Sequence, residues 1–366
     1  MNIQRLKHRR VAVALPAKDE EDRLPACLAA LDVAAGRFGG SVAIVAVANN
    51  CTDRTVACLR STRLRHAVLH WSAVSLIGEH RHAGWARRLA LDTAADHLID
   101  TTDVLMSTDA DTEVAPDWLI RSLWHIHTGG ANAVAGRALT RRTERAALGT
   151  DAMRRLNMLG RYYTALDWLR ADREPPSDDI WPRHYYEGGA SIALTLDLYR
   201  RIGGAPTPPV AEDRALFDAV RRAGGRVRHP VDVRVFTSGR TEGRAPGGMA
   251  DAFARWIAQG EDEPLHETYA FPAALTPALA RSKDRLSFRT LGGAIDRAGA
   301  MIRARQSAPA PEIEPILLPT FLDHDADTGS ERKQQFLDRG IAGLGVIGVP
   351  EPVDEQQMPT CRHGIR

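Results

Sequence analysis

Two carboxylates two residues apart, Asp109 and Asp111, follow a short apolar run in the stretch LMSTDADTEV. Like charges crowded at the end of a buried strand repel one another, and the crowding is costly unless a cation or a substrate charge offsets it. Oxygen ligands of this kind suit Mg²⁺ or Mn²⁺. The same letters also suit a solvated turn leading into a helix, since Asp and Thr serve both. On this stretch alone the two readings stand level. A second acidic pair, Glu212 and Asp213, opens the amphipathic segment AEDRALFDAVRRAGG. One of these carboxylates could take a proton from a hydroxyl nucleophile. It could equally do no more than complement the positive end of a helix.

Such groups need a scaffold that gathers strand ends. Residues 11–15 (VAVAL), 42–48 (VAIVAVA) and 104–107 (VLMS) are continuous apolar runs of buried-strand length, with weaker ones at 66–71 and 132–139. Between them, 20–34, 53–60 and 84–98 carry helical spacing, and Pro116 opens a further helix to 127. Strands alternating with helices predict an α/β fold with a doubly wound, mostly parallel sheet. Ligands of such sheets sit beyond the carboxyl ends of the strands. The residues there are Ala17, Lys18 and Asp19, then Asn49 and Asn50, then Asp109 and Asp111. Farther on, 145–170 reads as a long helix and 185–196 as a glycine pair with a strand-like tail. A short helix follows at 198–202, a helix closed by Gly224 and Gly225 at 212–223, and a strand running into a basic loop at 233–240. Two units are expected: a domain over 1–258, and a mostly helical extension over 259–366 with an irregular tail.

Composition narrows the class. The chain has 366 residues, 26% charged and 44% apolar, with a formal net charge of +2. That is ordinary for a soluble globular protein and gives no reason to expect nucleic-acid binding. The basic residues are almost all arginine, whose planar fork suits phosphate. Cys27, Cys51, Cys58 and Cys361 have neither zinc-finger nor CxxC spacing. They form no disulfide framework and point to a reducing compartment. No apolar run approaches the ~20 residues of a membrane span, and the N-terminus runs straight into a strand. A cytoplasmic protein is expected, with peripheral membrane contact and a homodimer left open.

The segments ALPAKDEEDRLPACLAAL, VANNCTDRT, GWARRLAL, DADT, GGAS and AEDRALFDAVRRAGGRV occur in that order within residues 10–245. Together they resemble family 2 glycosyltransferases of the GT-A fold. The resemblance implies transfer of a sugar from a nucleotide-diphospho-sugar (a UDP- or GDP-sugar) to a hydroxyl acceptor, by metal-assisted inverting displacement. Asp109 and Asp111 then match the DxD pair, with Asp111 the stronger metal ligand and Asp109 turned to the ribose or the metal. Asp19 and Glu20 line the nucleotide pocket, and Pro16 and Ala17 meet the base through the backbone. Asn49 stands where many members carry Asp; its amide both donates and accepts, so it can still read a pyrimidine edge. Arg87 is implied to lie near the diphosphate. Gly188, Gly189 and Ser191 pass close to the donor sugar. Asp213 is the implied general base, with Glu212 beside it. Arg240 and Arg244 lie on a loop suited to a diphosphate or an anionic acceptor. His229 is a candidate third metal ligand, weighed against a structural role.

Two other enzymes compete. A haloacid-dehalogenase-like phosphatase would use Asp109 as nucleophile, but the lysine and paired-Asp motif it needs later in the chain is absent. A nucleotidyltransferase would want glycines in the loop PAKDEEDR. A degenerate, non-catalytic nucleotide scaffold is disfavoured by the metal pair and the base candidate together. A second DADT, within residues 323–330, has no buried strand leading into it and reads as a polar loop.

Overall fold

The computed structural model describes residues 6–173, 179–244, 248–265 and 286–305. The first half alternates as expected: β1 (Val11–Ala17), α1 (Leu24–Phe38), β2 (Val42–Asn49), α2 (Thr55–Ser61), β3 (Val68–Val74), α3 (Ala83–Ala95), β4 (Val104–Ser107), β5 (Glu113–Val114) and α4 (Trp118–His127). Then come β6 (Ala133–Ala135), β7 (Arg137–Thr140), α5 (Arg142–Ala147), α6 (Thr150–Arg173), β8 (Ile192–Thr195), α7 (Leu196–Arg201), α8 (Glu212–Arg222), β9 (Val227–Arg228), β10 (Arg234–Thr237), α9 (Met249–Ala258) and α10 (Phe288–Arg305).

Seven strands form one mixed sheet in the order β3-β2-β1-β4-β8-β6-β9. All its pairings are parallel except those of β8, which runs against both β4 and β6. This is the α/β, mostly parallel architecture that the apolar runs predict. The chain winds outward from β1 to β3, then crosses back to place β4 on the other side of β1. That reversal opens a crevice beyond the carboxyl ends of β1 and β4. Pro16 is tolerated inside β1 because β4 reaches only as far as Ala14, leaving Pro16 paired with β2 alone.

Side-chain alternation divides the core. Val11, Val13 and Leu15 point to the face covered by α1 and α4, whereas Ala12 and Ala14 point to α3. Small residues on both surfaces, Ala12 and Ala14 against Ala86, Ala90 and Ala94, bring α3 close to the sheet. Arg87 is thereby carried to the end of β4. A second sheet, β5-β10-β7, pairs β10 antiparallel to β5 and parallel to β7.

Three boundaries differ from the sequence expectation. The single strand expected over 132–139 is two, β6 and β7, in different sheets. Gly136 separates them where a Cβ would strike the Ser191 side chain. The long helix expected from 145 is interrupted at Gly149, whose φ of 95° is left-handed. The first helix begins at Leu24 rather than residue 20, because Asp19 adopts φ 53° and residues 18–23 form a loop. Beyond the sheet, α6, α9 and α10 share a core of their own that includes Tyr162, Trp256, Phe288 and Leu291. Residues 323–330 lie outside the described residues.

Candidate active site

The crevice is a cavity of about 700 Å³ lined from the ends of β1, β2, β4 and β10 and the start of α8. Its wall begins with the turn after β4. The Thr108 amide bonds the Ala14 carbonyl at 3.2 Å, its hydroxyl bonds the Ala190 carbonyl at 2.8 Å, and the Thr112 amide returns to the Asp109 carbonyl at 3.1 Å. Asp109 and Asp111 are thus the first and third residues of a fixed turn. The carboxylates are not left to repel each other, because each has its own arginine.

Arg87 is the first. Its side chain is only 7% exposed. Nη2 donates to Asp109 Oδ1 at 2.8 Å, Nη1 to Ser107 Oγ at 3.0 Å and to the Gly189 carbonyl at 3.1 Å, and Nε to Glu212 Oε1 at 3.1 Å. Burial opposes its charge, but Asp109 and Glu212 more than offset that and raise its pKa. Arg240 is the second. It grips Glu20 with two bonds, Nη1 to Oε2 at 2.9 Å and Nη2 to Oε1 at 2.6 Å, while Nη2 also lies 2.9 Å from Asp111 Oδ2. Register explains the meeting. β5 starts two residues after Asp111 and β10 ends three residues before Arg240, and these two strands pair antiparallel, Val114 with Val235. Arg244 lies farther out, 4.0 Å from Glu20. Burial and the neighbouring Asp109 push the Asp111 carboxyl up to about 6 against the pull of Arg240.

Asp213 lies in the first turn of α8. Its Oδ2 accepts from the Gly189 amide and its Oδ1 from the Arg214 amide, both at 2.8 Å. Burial and adjacent Glu212 push its pKa up to about 7, opposed by Arg87. A carboxylate poised there is matched to proton transfer near neutrality. The residue before the pair, Ala211, is held at φ 58°, a left-handed conformation costly for a residue with a Cβ. Asn50, another wall residue, has φ 50°. Strain of this kind collects at functional sites.

Eleven of the sequence-nominated residues line the cavity: Pro16, Glu20, Asn49, Arg87, Asp109, Asp111, Gly189, Glu212, Asp213, Arg240 and Arg244. Asn49 and Asn50 divide their tasks. Both line the cavity, but Asn50 commits both amide atoms to the Leu76 backbone, at 3.0 and 3.2 Å. Five nominated residues fall elsewhere. Asp19 turns away to the Thr52 amide at 2.6 Å. Ala17 is buried, its carbonyl facing the Cys51 thiol at 3.5 Å. Ser191 is buried and accepts from Trp118 Nε1 at 2.8 Å, and Gly188 packs on the Tyr186 ring. His229 is not a partner of Asp111. Its Nδ1 faces Asp179 Oδ2 at 2.7 Å and its Nε2 faces Glu187 Oε1 at 2.9 Å, so both nitrogens are engaged. Arg87 lines the cavity while its guanidinium is held by the carboxylates of Asp109 and Glu212.

Asp19, Cys51 and Asp53 bring ligand-type atoms within 4.8 Å of one another. Their carboxylates already accept backbone amides, Asp19 from Thr52 at 2.6 Å and Asp53 from Glu21 and Thr55 at 2.9 Å. They join two loops. Sequence reading missed Arg81, His82 and Tyr186 on the cavity wall. Tyr186 adjoins the glycine pair and was within reach of it; Arg81 and His82 precede α3 in a segment without periodicity.

No protein-family model and no curated protein matches the chain. Solved structures do match. TarS of S. aureus, residues 1–349 in complex with UDP-GlcNAc, is 12% identical over 85% of this chain and 99% of that one, with a TM-score of 0.43. Mannosyltransferase PcManGT from Pyrobaculum calidifontis, in complex with GDP-Man and Mn²⁺, is 20% identical over 82% and 77%, with a TM-score of 0.38. Glucosyl-3-phosphoglycerate synthase from Mycobacterium tuberculosis, with Mn²⁺, UDP and glucosyl-3-phosphoglycerate, is 18% identical over 71% and 81%, with a TM-score of 0.39. The chain spans 42% of a longer TarS chain. At these values the likeness assigns nothing to this chain, and function has to be read from the site's own residues.

Proposed function

We propose that the chain is a GT-A-type, family 2-like glycosyltransferase that moves a sugar from a nucleotide-diphospho-sugar to a hydroxyl acceptor with inversion. One observation carries the reading. The paired carboxylates Asp109 and Asp111 and the proton acceptor Asp213 line a single cavity at the switch point of the sheet, and Arg87 ties their two supporting elements together.

Asn49 and the Pro16 backbone meet the nucleobase at the ends of β1 and β2. Asp111, with Asp109, would hold Mn²⁺ or Mg²⁺. The donor set fits: each carboxylate has one oxygen engaged by an arginine, the other oxygen of Asp111 meets only the Thr112 hydroxyl at 3.4 Å, and such ions readily complete their shells with substrate phosphates and water. Bound there, such an ion would supply charge neutralisation for a departing diphosphate. Arg240 and Arg244 lie within reach of the same charge. Asp213 takes the acceptor hydroxyl's proton while the Gly189 and Arg214 amides fix its orientation. The acceptor oxygen then bonds to the anomeric carbon from the face opposite the diphosphate as the bond to the diphosphate breaks, which inverts that centre. Among the described residues no helix is long and apolar enough to cross a membrane. Cys27, Cys51 and Cys58 are free thiols, consistent with work in a reducing cytoplasm.

A calorimetric panel of UDP and GDP, with and without Mn²⁺, tests the reading on the intact chain and on Asp111→Ala. The intact chain is expected to bind at least one nucleotide more tightly with Mn²⁺, and the variant to lose that gain. Absence of metal-linked nucleotide binding in the intact chain rejects the reading.

A further inference from the structure

Arg240 holds an unusual position for a cavity arginine. Its guanidinium lies between Glu20, which is 6% exposed, and Asp111, which is 14% exposed, at 2.6 and 2.9 Å. A guanidinium remains charged at any pH at which the protein is folded, so it occupies these carboxylates as a permanent cation. Its backbone is fixed as well. The Arg240 amide bonds Ser238 Oγ at 3.2 Å, the preceding Gly239 amide is held by Glu144, and β10 is anchored between β5 and β7.

We propose that Arg240 makes cation binding at Asp111 contingent on the donor, so that divalent ion and nucleoside diphosphate enter as one unit. This rests on the glycosyltransferase reading and deepens it. The carboxylates of Glu20, Asp109 and Asp111 already face Arg240, Arg244 and Arg87, the last shared with Glu212, so little unpaired negative charge is left for a free ion. A divalent ion arriving alone must compete with Arg240 for Asp111 and leaves the set with excess positive charge. An ion arriving with a diphosphate brings its own compensation. The phosphate oxygens also give Arg240 the bidentate partner that its fork prefers. Arg240 therefore exchanges carboxylate for phosphate, and Asp111 is released to the metal. Arg244 reaches Glu20 but no oxygen of Asp111, so it shares in the charge balance without blocking the ligand.

Coupling of this kind is reciprocal: nucleotide tightens metal by the factor by which metal tightens nucleotide. Mn²⁺ titrations of the full-length chain, read by calorimetry and by the paramagnetic resonance of free Mn²⁺, provide the test. For the intact chain, saturating nucleoside diphosphate is expected to raise Mn²⁺ affinity at least tenfold, which corresponds to about 1.4 kcal/mol. Arg240→Gln is expected to bind Mn²⁺ without nucleotide at least tenfold more tightly than the intact chain, and to lose most of the nucleotide-dependent gain. Arg244→Gln, which removes a charge but no contact with Asp111, is expected to raise the affinity for Mn²⁺ alone far less than Arg240→Gln does. Arg240→Lys, which keeps the charge but loses the two-bonded grip on Glu20, is expected to fall between and serves if the Gln variant does not fold. Equal or weaker Mn²⁺ affinity in a folded Arg240 variant overturns the inference while leaving the glycosyltransferase reading intact. Failure of the intact chain to bind Mn²⁺ even with nucleotide overturns both.

Discussion

Arg87 Nε donates to Glu212 Oε1 at 3.1 Å, joining the middle of the chain's third helix to the first turn of its eighth. The two residues are 125 positions apart, yet the bond decides where Asp213 stands. Glu212 held by Arg87 fixes the rotation of α8 about its axis. Asp213, the next residue, is then turned to the Gly189 amide. Because Nη2 of the same guanidinium holds Asp109, a single buried cation sets the spacing between Asp109 and Asp213.

Removing that cation should be expensive. Arg87→Met leaves Asp109 and Glu212 facing each other without compensation, and breaking a buried pair by deleting one partner costs about 3–5 kcal/mol. Urea unfolding of this variant should show a loss of that order. Arg87→Met combined with Glu212→Gln should recover part of it, since the second change removes one of the orphaned charges. A loss below about 1 kcal/mol, the range of surface pairs, would show that the network is not structural.

Gly189 is a second point of constraint. Its amide serves Asp213, its carbonyl serves Arg87, and a Cβ at this position would overlap the Arg87 guanidinium. The guanidinium is held by four partners and cannot step aside cheaply. Gly189→Ala should therefore lower transfer at least tenfold with the nucleotide affinity little changed, whereas Gly203→Ala, on a free turn where a Cβ meets nothing within 4 Å, should spare transfer and show only the strain of its positive φ. Side-by-side turnover and calorimetry for the two variants give the comparison.

The helical layer sets where the chain can be cut. Leu291 of α10 is fully buried in the core shared with α6, and truncating such a leucine costs about 2–5 kcal/mol. Leu291→Ala should lose that much stability, and a chain ending at residue 260 should lose far more because it strips α10 from α6. A chain ending after residue 305, which keeps α10, is the reference for that loss. Equal midpoints for the two truncations would mean that α10 contributes nothing to the fold.

The parts of the site that could be read from sequence are those carried by strand ends. Continuous apolar runs locate β1, β2 and β4, and the residues after them, Glu20, Asn49, Asp109 and Asp111, all reach the cavity. The parts that could not be read depend on pairings between distant segments. β5 is two residues long and leaves no periodicity, yet its antiparallel pairing with β10 is what delivers Arg240 to Asp111. Gly136 sits inside an unbroken apolar pattern, and only the approach of Ser191 explains why the strand stops there. His229 has the residue type of a metal ligand, and its capture by Asp179 and Glu187 is invisible without the fold. The left-handed Ala211 breaks the rule that reserves such backbone for glycine, so no residue preference could announce it.

The sharpest expectation concerns Asp213. Asp213→Asn keeps the shape of the side chain and loses its capacity to accept a proton, so transfer should fall by roughly 10²–10⁴, the usual contribution of general acid–base catalysis. Nucleotide affinity should survive, because the donor contacts lie at the strand ends. Glu212→Gln should do less to proton transfer, since Glu212 is committed to Arg87, though loss of that bond should loosen α8. The pH profile separates the two roles. Burial and Glu212 raise the Asp213 carboxyl to about 7, and only its ionised form can act as base. Activity of the intact chain should therefore rise through pH 7 to a plateau above it, and fall with unit slope as the pH drops and Asp213 takes up a proton. Glu212→Gln removes a neighbouring negative charge and should move that midpoint downward, while Asp213→Asn should leave a low residual rate with no step near neutrality. Initial rates from pH 5 to 9 at saturating donor, beside nucleotide affinities at each pH, read all three. Near-intact turnover in Asp213→Asn, or an unchanged midpoint near 7 in that variant, would place the base elsewhere in the cavity.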